Sequence, residues 1–197
     1  MPVENWFSVP TFYYDVVGAE FEIIQNEITN SIKNLDVDLS NPWEDNVKTT
    51  FKHDGNDYLN EYNLTNFQKT MLTYVDEFRL SVGYAVDKNI SYDVKGWINF
   101  SHTNNFQFTH DHGTGGISGV YYYKTNGKDG DIVFEHPTSA YIGNYFPYTH
   151  LSKDVTYTPI VGRVILFPSW LPHRVKINNT NNLRISVAFN CDIIYEK

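Results

Sequence analysis

The chain has 197 residues, 41% of them hydrophobic and 19% charged, which gives material for a substantial core and excludes a disordered polyampholyte. Its formal net charge of -8 argues against nucleic acid as the main partner, because a phosphate backbone selects basic surfaces. The single cysteine, Cys191, excludes an intramolecular disulfide and a cysteine-built zinc cluster.

The N-terminal stretch MPVENWFSVP has neither a basic n-region nor an apolar h-region, so no signal peptide is expected. No window approaches the length of apolar residues that spans a bilayer, so no membrane partner is expected and the location is read as cytoplasmic. In residues 19–35, Phe21, Ile24, Ile28, Ile32 and Leu35 recur at spacings of three and four, which predicts an amphipathic helix. Residues 66–80 repeat the pattern with Phe67, Met71, Val75 and Phe78, and Thr65 with Gln68 has the form of a capping box. The Asp/Asn-rich stretch between them reads as loop.

Beyond residue 90 the pattern changes to short strands punctuated by Gly, Asn and Asp. Candidate strands fall at 95–101, 106–112, 116–124, 131–135, 154–158, 163–167, 172–177 and 183–191. Eight short strands with few helices among them predict a mainly β sandwich or double-sheet jelly roll, its major sheet covered by the two helices. The expected organisation is a single domain, 1–197, with 1–90 as helical support and 91–197 as the strand-built core. The long connection 136–153 carries Tyr141, Tyr145, Phe146 and Tyr148, enough aromatic area to cover a substrate or to pin the loop to the surface.

Residues 106–112 read FQFTHDH. On a regular strand Phe106, Phe108, His110 and His112 share one side, with the two phenylalanines filling the barrel, while Asp111 points away. Two imidazoles at this spacing can meet one metal ion, although such pairs also arise by chance, and a third ligand has to come from elsewhere. His53, His102, His136 and His150 lie in loops or at strand ends without a partner at ligand spacing. His173 stands in LFPSWLPHRV, where one strand ends, a turn follows and another strand begins. In LRISVAFN, Leu183, Ile185, Val187 and Phe189 form one face and Arg184, Ser186, Ala188 and Asn190 the other. Arg184 is then either solvated or turned into a cavity. Cys191, in FNCDII, reads as a buried inert thiol.

The segments HDHGTGGISGVYYY (110–123), GDIVFEHP (130–137), GRVILFPSWLPHRV (162–175) and LRISVAFN (183–190) follow one another in an order that resembles the 2-oxoglutarate- and Fe(II)-dependent oxygenases. The resemblance is to a bacterial and phage branch related to prolyl 4-hydroxylases. It implies a double-stranded β-helix, cupin-like, whose second and seventh strands are neighbours, so that His110, His112 and His173 converge as catalytic metal ligands. It further implies that Arg184, Ser186 and Tyr122 bind 2-oxoglutarate, with Arg184 on the distal carboxylate, although Tyr122 also reads simply as one more aromatic in a tyrosine run. The implied activity is that of an oxidoreductase, a dioxygenase using Fe(II), 2-oxoglutarate and O2. It hydroxylates a protein or peptide residue, proline first, and releases succinate and CO2. Most of the family has a carboxylate where this chain has His112; three neutral imidazoles leave the metal charge uncompensated until a dianionic cosubstrate binds. Glu135 is a weaker candidate for a carboxylate near the metal, and Trp170 for the rim of the mouth. Two alternatives differ in class: a cupin-like metal protein that does not use 2-oxoglutarate, which leaves Arg184 without a ligand, and a non-catalytic jelly-roll binding module.

Overall fold

The computed structural model describes residues 8–35, 39, 46–52, 57–86, 89–113, 116–137 and 154–195. In chain order the elements are β1 (Phe12–Asp15), α1 (Gly18–Lys33), β2 (Lys48–Thr49), α2 (Tyr58–Glu61), α3 (Thr65–Ser81), β3 (Ile90–Ser101), β4 (Gln107–His110), β5 (Ile117–Lys124), β6 (Ile132–Glu135), β7 (Asp154–Tyr157), β8 (Arg163–Pro168), β9 (His173–Val175) and β10 (Arg184–Tyr195). Strands β3 to β10 are the eight expected ones, and β1 and β2 are two short additions. All pairings are antiparallel, in a six-stranded sheet ordered β1-β8-β5-β10-β3-β2 and a four-stranded sheet ordered β4-β9-β6-β7. The architecture is the expected mainly β jelly roll.

Both predicted helices form, because their apolar stripes have one place to go. Ile24 and Ile28 of α1 and Phe67, Met71, Val75 and Phe78 of α3 pack with Ile98, Tyr121, Val164, Leu166, Val187 and Phe189 of the larger sheet in one buried cluster. Full burial of each such side chain contributes roughly 1.5–3 kcal/mol. Phe67 meets the rings of Tyr121 and Phe189 edge-on, with centroids 5.7 and 6.0 Å away. The sheet is close-packed where Gly119 faces Phe189: a Cβ at residue 119 would lie 2.3 Å from the Phe189 ring, so the strand carries glycine there.

The start of α3 departs from expectation. Thr65 is already the first helical residue, Leu64 precedes it at the cap, and no side chain of the helix itself caps it. A capping box needs its threonine one position earlier, outside the helix. The Gln68 side chain donates instead to Asn60 Oδ1. The free backbone N–H groups are taken by Glu27 of α1, whose carboxylate accepts from Asn66 N at 3.0 Å and Phe67 N at 2.8 Å. One carboxylate thereby caps the helix, opposes its dipole and fixes α1 against α3.

Residues 138–153, which hold most of the aromatic loop, lie outside the described residues, as does His53. No helix among the described residues is long and apolar enough to cross a membrane. Replacing Glu27 with alanine is expected to cost about 1–2 kcal/mol, a fall in melting temperature of roughly 2–8 °C for a chain of this size. Glu27→Gln should recover part of the loss by keeping one acceptor, and thermal unfolding measured by circular dichroism checks both.

Candidate metal centre

Strand β10 divides the interior. Ile185, Val187 and Phe189 belong to the apolar core beneath the helices, whereas Arg184, Ser186, Ala188 and Asn190 line a cavity of about 640 Å³ between the two sheets. His110, His112 and His173 line the same cavity, and one ring nitrogen from each lies within 4.8 Å of one from each of the others. His110 and His173 are directly opposed in the β4–β9 pair, with ring centroids 4.4 Å apart. His112 lies just past the end of β4, where its backbone N–H donates to Ser169 O at 2.8 Å and Trp97 packs against its ring edge-on.

Each imidazole is oriented by a hydrogen bond at Nδ1. His110 Nδ1 donates to Phe108 O at 2.7 Å and His173 Nδ1 to Leu171 O at 2.9 Å, since a carbonyl can only accept. His112 Nδ1 lies 2.7 Å from Asn190 Oδ1 and 3.0 Å from Ser118 Oγ. With Nδ1 protonated, Nε2 of all three rings is the nitrogen left to coordinate a metal. Burial, reinforced by the neighbouring imidazoles, pushes His112 down to about 4 and His173 to about 3. Both are therefore neutral at pH 7, the form that ligates. A set of three imidazoles fits iron among other first-row metals.

The regular alternation expected across 106–112 does not hold. Gln107 pairs with Val175 and His110 with His173, so Phe108 and Thr109 stand against Arg174 alone. That extra residue is a bulge, which re-aims the side chains on either side of it. Phe108 is 59% exposed at the cavity mouth instead of filling the barrel, and Gln107 joins the cavity lining. Asp111 borders the cavity but is not among the three converging ligands; its Oδ1 accepts from Gly113 N at 2.9 Å. Glu135 is held by Thr109 Oγ1 and by Arg174 Nε, turned away from the imidazoles. Trp170 is exposed and does not line the cavity. Cys191 is fully buried, and burial pushes its thiol up to about 12, which leaves it inert.

At the other end of the cavity Arg184 is 4% exposed. Its Nη1 donates to the carbonyls of Asp129 and Gly130 at 2.7 Å, and its Nη2 donates to Ser101 Oγ at 2.9 Å. Among the described residues no carboxylate forms an ion pair with it. Burial pulls its pKa below the usual arginine value, against the opposing influence of Tyr122, Asp129 and Asp131. Ser186 pairs with Tyr122 on β5 and with Asn99 on β3, so the three form a row across the sheet beside Arg184. The Tyr122 hydroxyl has no hydrogen-bond partner among the described residues, and burial raises its pKa. Asn99 Oδ1 is buried without a partner among the described residues. Sequence reasoning attached no role to Asn99, Ser118 or Asn190. Alternation along β10 placed Asn190 on the cavity face, but polar residues on a strand acquire a role only once their neighbours on other strands are known.

Residues 95–190 match the model of the 2OG-Fe(II) oxygenase family. No curated protein matches the chain in sequence. Among solved structures, a Pseudomonas putida prolyl-4-hydroxylase superposes with a TM-score of 0.60 at 12% identity, over 94% of this chain and 93% of that one. HygX from Streptomyces hygroscopicus, with nickel and 2-oxoglutarate bound, gives 0.61 at 11% identity, over 93% and 83%. A prolyl hydroxylase from Trichoplax adhaerens, in complex with a hypoxia inducible factor peptide fragment, gives 0.59 at 15% identity, over 92% and 83%. At such identities these likenesses speak for the fold, and the family model speaks for the segment that carries the three histidines and Arg184. The likeness to the 2-oxoglutarate- and Fe(II)-dependent oxygenases thus rests on residues 95–190, a little under half of the chain.

Proposed function

We propose that His110, His112 and His173 hold the Fe(II), that Arg184, Ser186 and Tyr122 bind 2-oxoglutarate, and that the enzyme hydroxylates a residue of a protein or peptide, proline first. The observation that carries this reading is Arg184, a buried guanidinium with no carboxylate partner among the described residues, in the same cavity as three converging imidazoles. A buried cation satisfied only by carbonyls and a hydroxyl is costly, and an anion entering the cavity removes that cost. The Arg184 Nε–H has no partner among the described residues, and with a remaining Nη2 hydrogen it offers a carboxylate the planar fork it accepts best.

Bound together, Fe(II), 2-oxoglutarate and O2 supply the family's chemistry, oxidation of a C–H bond with release of succinate and CO2. The chain's own residues set the stage for it. Ser186 and Tyr122 present hydroxyls beside the guanidinium, and Asn99 adds an amide whose half-turn would direct N–H groups to the same place. Phe51 and Trp97, packed edge-on at 5.2 Å, and the exposed Phe108 form an aromatic mouth that excludes water and offers an apolar platform. A pyrrolidine ring fits such a platform, and two of the similar structures are prolyl hydroxylases, one with a peptide fragment bound. The cytoplasm suits this reading, with its reduced iron and its supply of 2-oxoglutarate.

Anaerobic reconstitution with Fe(II), followed by air and an assay for succinate with and without proline-containing peptides, tests the proposal. Absence of both succinate and metal-dependent 2-oxoglutarate binding would overturn it. Arg184→Lys, which keeps the charge and loses the fork, is expected to raise KM for 2-oxoglutarate roughly 10- to 100-fold, the size of a charge-assisted hydrogen bond. Metal affinity measured without cosubstrate should stay unchanged.

The buried histidines also make the metal-free protein acid-sensitive. The folded pKa values of His112 and His173, about 4 and about 3, lie below the unfolded value of 6.5. Below pH 6.5 the unfolded chain therefore binds protons that the folded chain refuses. Stability falls as the pH drops from there towards 4 and then 3, and this contribution levels off below. Melting temperatures of the metal-free protein across that range should fall less steeply in His112→Gln than in the wild type; equal slopes would show that His112 does not titrate in this way.

A further inference from the structure

The three imidazoles are oriented in two different ways. His110 and His173 each donate Nδ1–H to a backbone carbonyl two residues earlier in their own segment, Phe108 O and Leu171 O. Such partners are fixed by local backbone geometry. His112 alone is oriented by side chains from other strands, Asn190 Oδ1 of β10 and Ser118 Oγ of β5. Ser118 also reaches Asn190 Oδ1 at 2.8 Å and Ser169 Oγ at 2.9 Å, and the backbone N–H of His112 donates to Ser169 O. His112 lies beyond the end of β4, where no strand pairing fixes its ring, so these contacts determine its position.

Two properties of this arrangement matter together. Among the described residues no carboxylate is hydrogen-bonded to any of the three imidazoles: their partners are two carbonyls, an amide and a hydroxyl. Asn190 also sits on the same face of β10 as Arg184 and Ser186, the strand that presents the guanidinium. An amide oxygen holds an imidazole's tautomer as a carboxylate does, but adds no negative charge and raises the ring's basicity less.

We propose that Asn190 is a positioning residue that fixes His112 as the Nδ1–H tautomer and, by being neutral, keeps the metal centre a full dication for the dianionic cosubstrate. The inference rests on the metal and 2-oxoglutarate reading above. A carboxylate at residue 190 would strengthen His112 as a ligand and weaken the attraction for the incoming dianion. The amide gives up some metal affinity in exchange for cosubstrate affinity.

Titration of the metal-free protein with Co(II), followed through its visible d–d absorption, and then of the Co(II)-loaded protein with 2-oxoglutarate, separates these effects without turnover. Asn190→Ala should weaken Co(II) binding roughly 10- to 100-fold, the usual cost of losing a group behind a ligand, with the melting temperature of the metal-free protein little changed. Asn190→Asp should restore Co(II) affinity to the wild-type value or above and weaken 2-oxoglutarate binding about tenfold or more. Ser118→Ala, which leaves the amide in place, should affect Co(II) binding less than Asn190→Ala does. The inference is overturned by Asn190→Ala that binds Co(II) like the wild type, by Asn190→Asp that binds 2-oxoglutarate like the wild type, or by metal affinity that merely tracks lost stability in both variants. A wild-type protein that binds no Co(II) at all would instead sink the metal-centre reading, and this inference with it.

Discussion

Everything in the molecule turns on one requirement placed on β10: its two faces must satisfy opposite environments. It is a twelve-residue strand flanked by β3 and β5, so neither edge is free over its central part. Side chains alternate along a strand, and the apolar set has to meet α1 and α3 while the polar set has to meet the cavity. A slip of one residue would drive a guanidinium among phenylalanines and expose Val187 and Phe189 to the cavity. The helices, the cavity and the buried arginine are thus consequences of a single register.

The cavity combines two requirements that usually oppose each other, a cation buried at one end and a cluster of imidazole donors at the other. Arg184 is stabilised by carbonyl dipoles and a hydroxyl, which offset part of its desolvation without neutralising it. His112 and His173 are held neutral by burial. The nearby carboxylates are engaged elsewhere, Asp111 with the Gly113 backbone and Glu135 with Thr109 and Arg174. Among the described residues no carboxylate is therefore ion-paired with Arg184 or hydrogen-bonded to the imidazoles, and a ligand that brings negative charge between them is favoured from both ends.

Periodicity carried most of the fold in the sequence. The spacing of Ile24, Ile28, Phe67 and Met71 marked two helices, and the alternation in LRISVAFN assigned both faces of β10 correctly. These signals are local, repeated several times and tied to large burial energies. The cap of α3 was hidden because Glu27 lies 39 residues before Asn66 in the chain, and nothing in the sequence announces that meeting. The β4 bulge was hidden for a related reason: a single extra residue changes which side chains face inwards, and only the pairing with β9 reveals it. The three histidines still converge, because His110 stays in register with His173 and the chain beyond β4 is fastened by Ser169. Phe108, which sits inside the shift, was misjudged as a core residue. Asn190 and Asn99 illustrate a third limit, since an asparagine is common in sequence and its importance here comes entirely from what stands across the strands.

The turn between β5 and β6 lies at the periphery, where insertions and drift are ordinarily tolerated. Here Arg184 reaches through to it and binds two consecutive carbonyls, while the fully buried Asp129 carboxylate ties together Thr125, Asn126 and Asn182. Gly130 has a φ of +105°, and a Cβ there would lie 2.7 Å from the guanidinium and 2.3 Å from Lys176 O. The length and composition of this peripheral turn are therefore as constrained as those of a core strand. For anyone grafting tags, shortening loops or recombining this scaffold with a relative, residues 125–130 belong with the candidate site, whatever their distance from the three histidines.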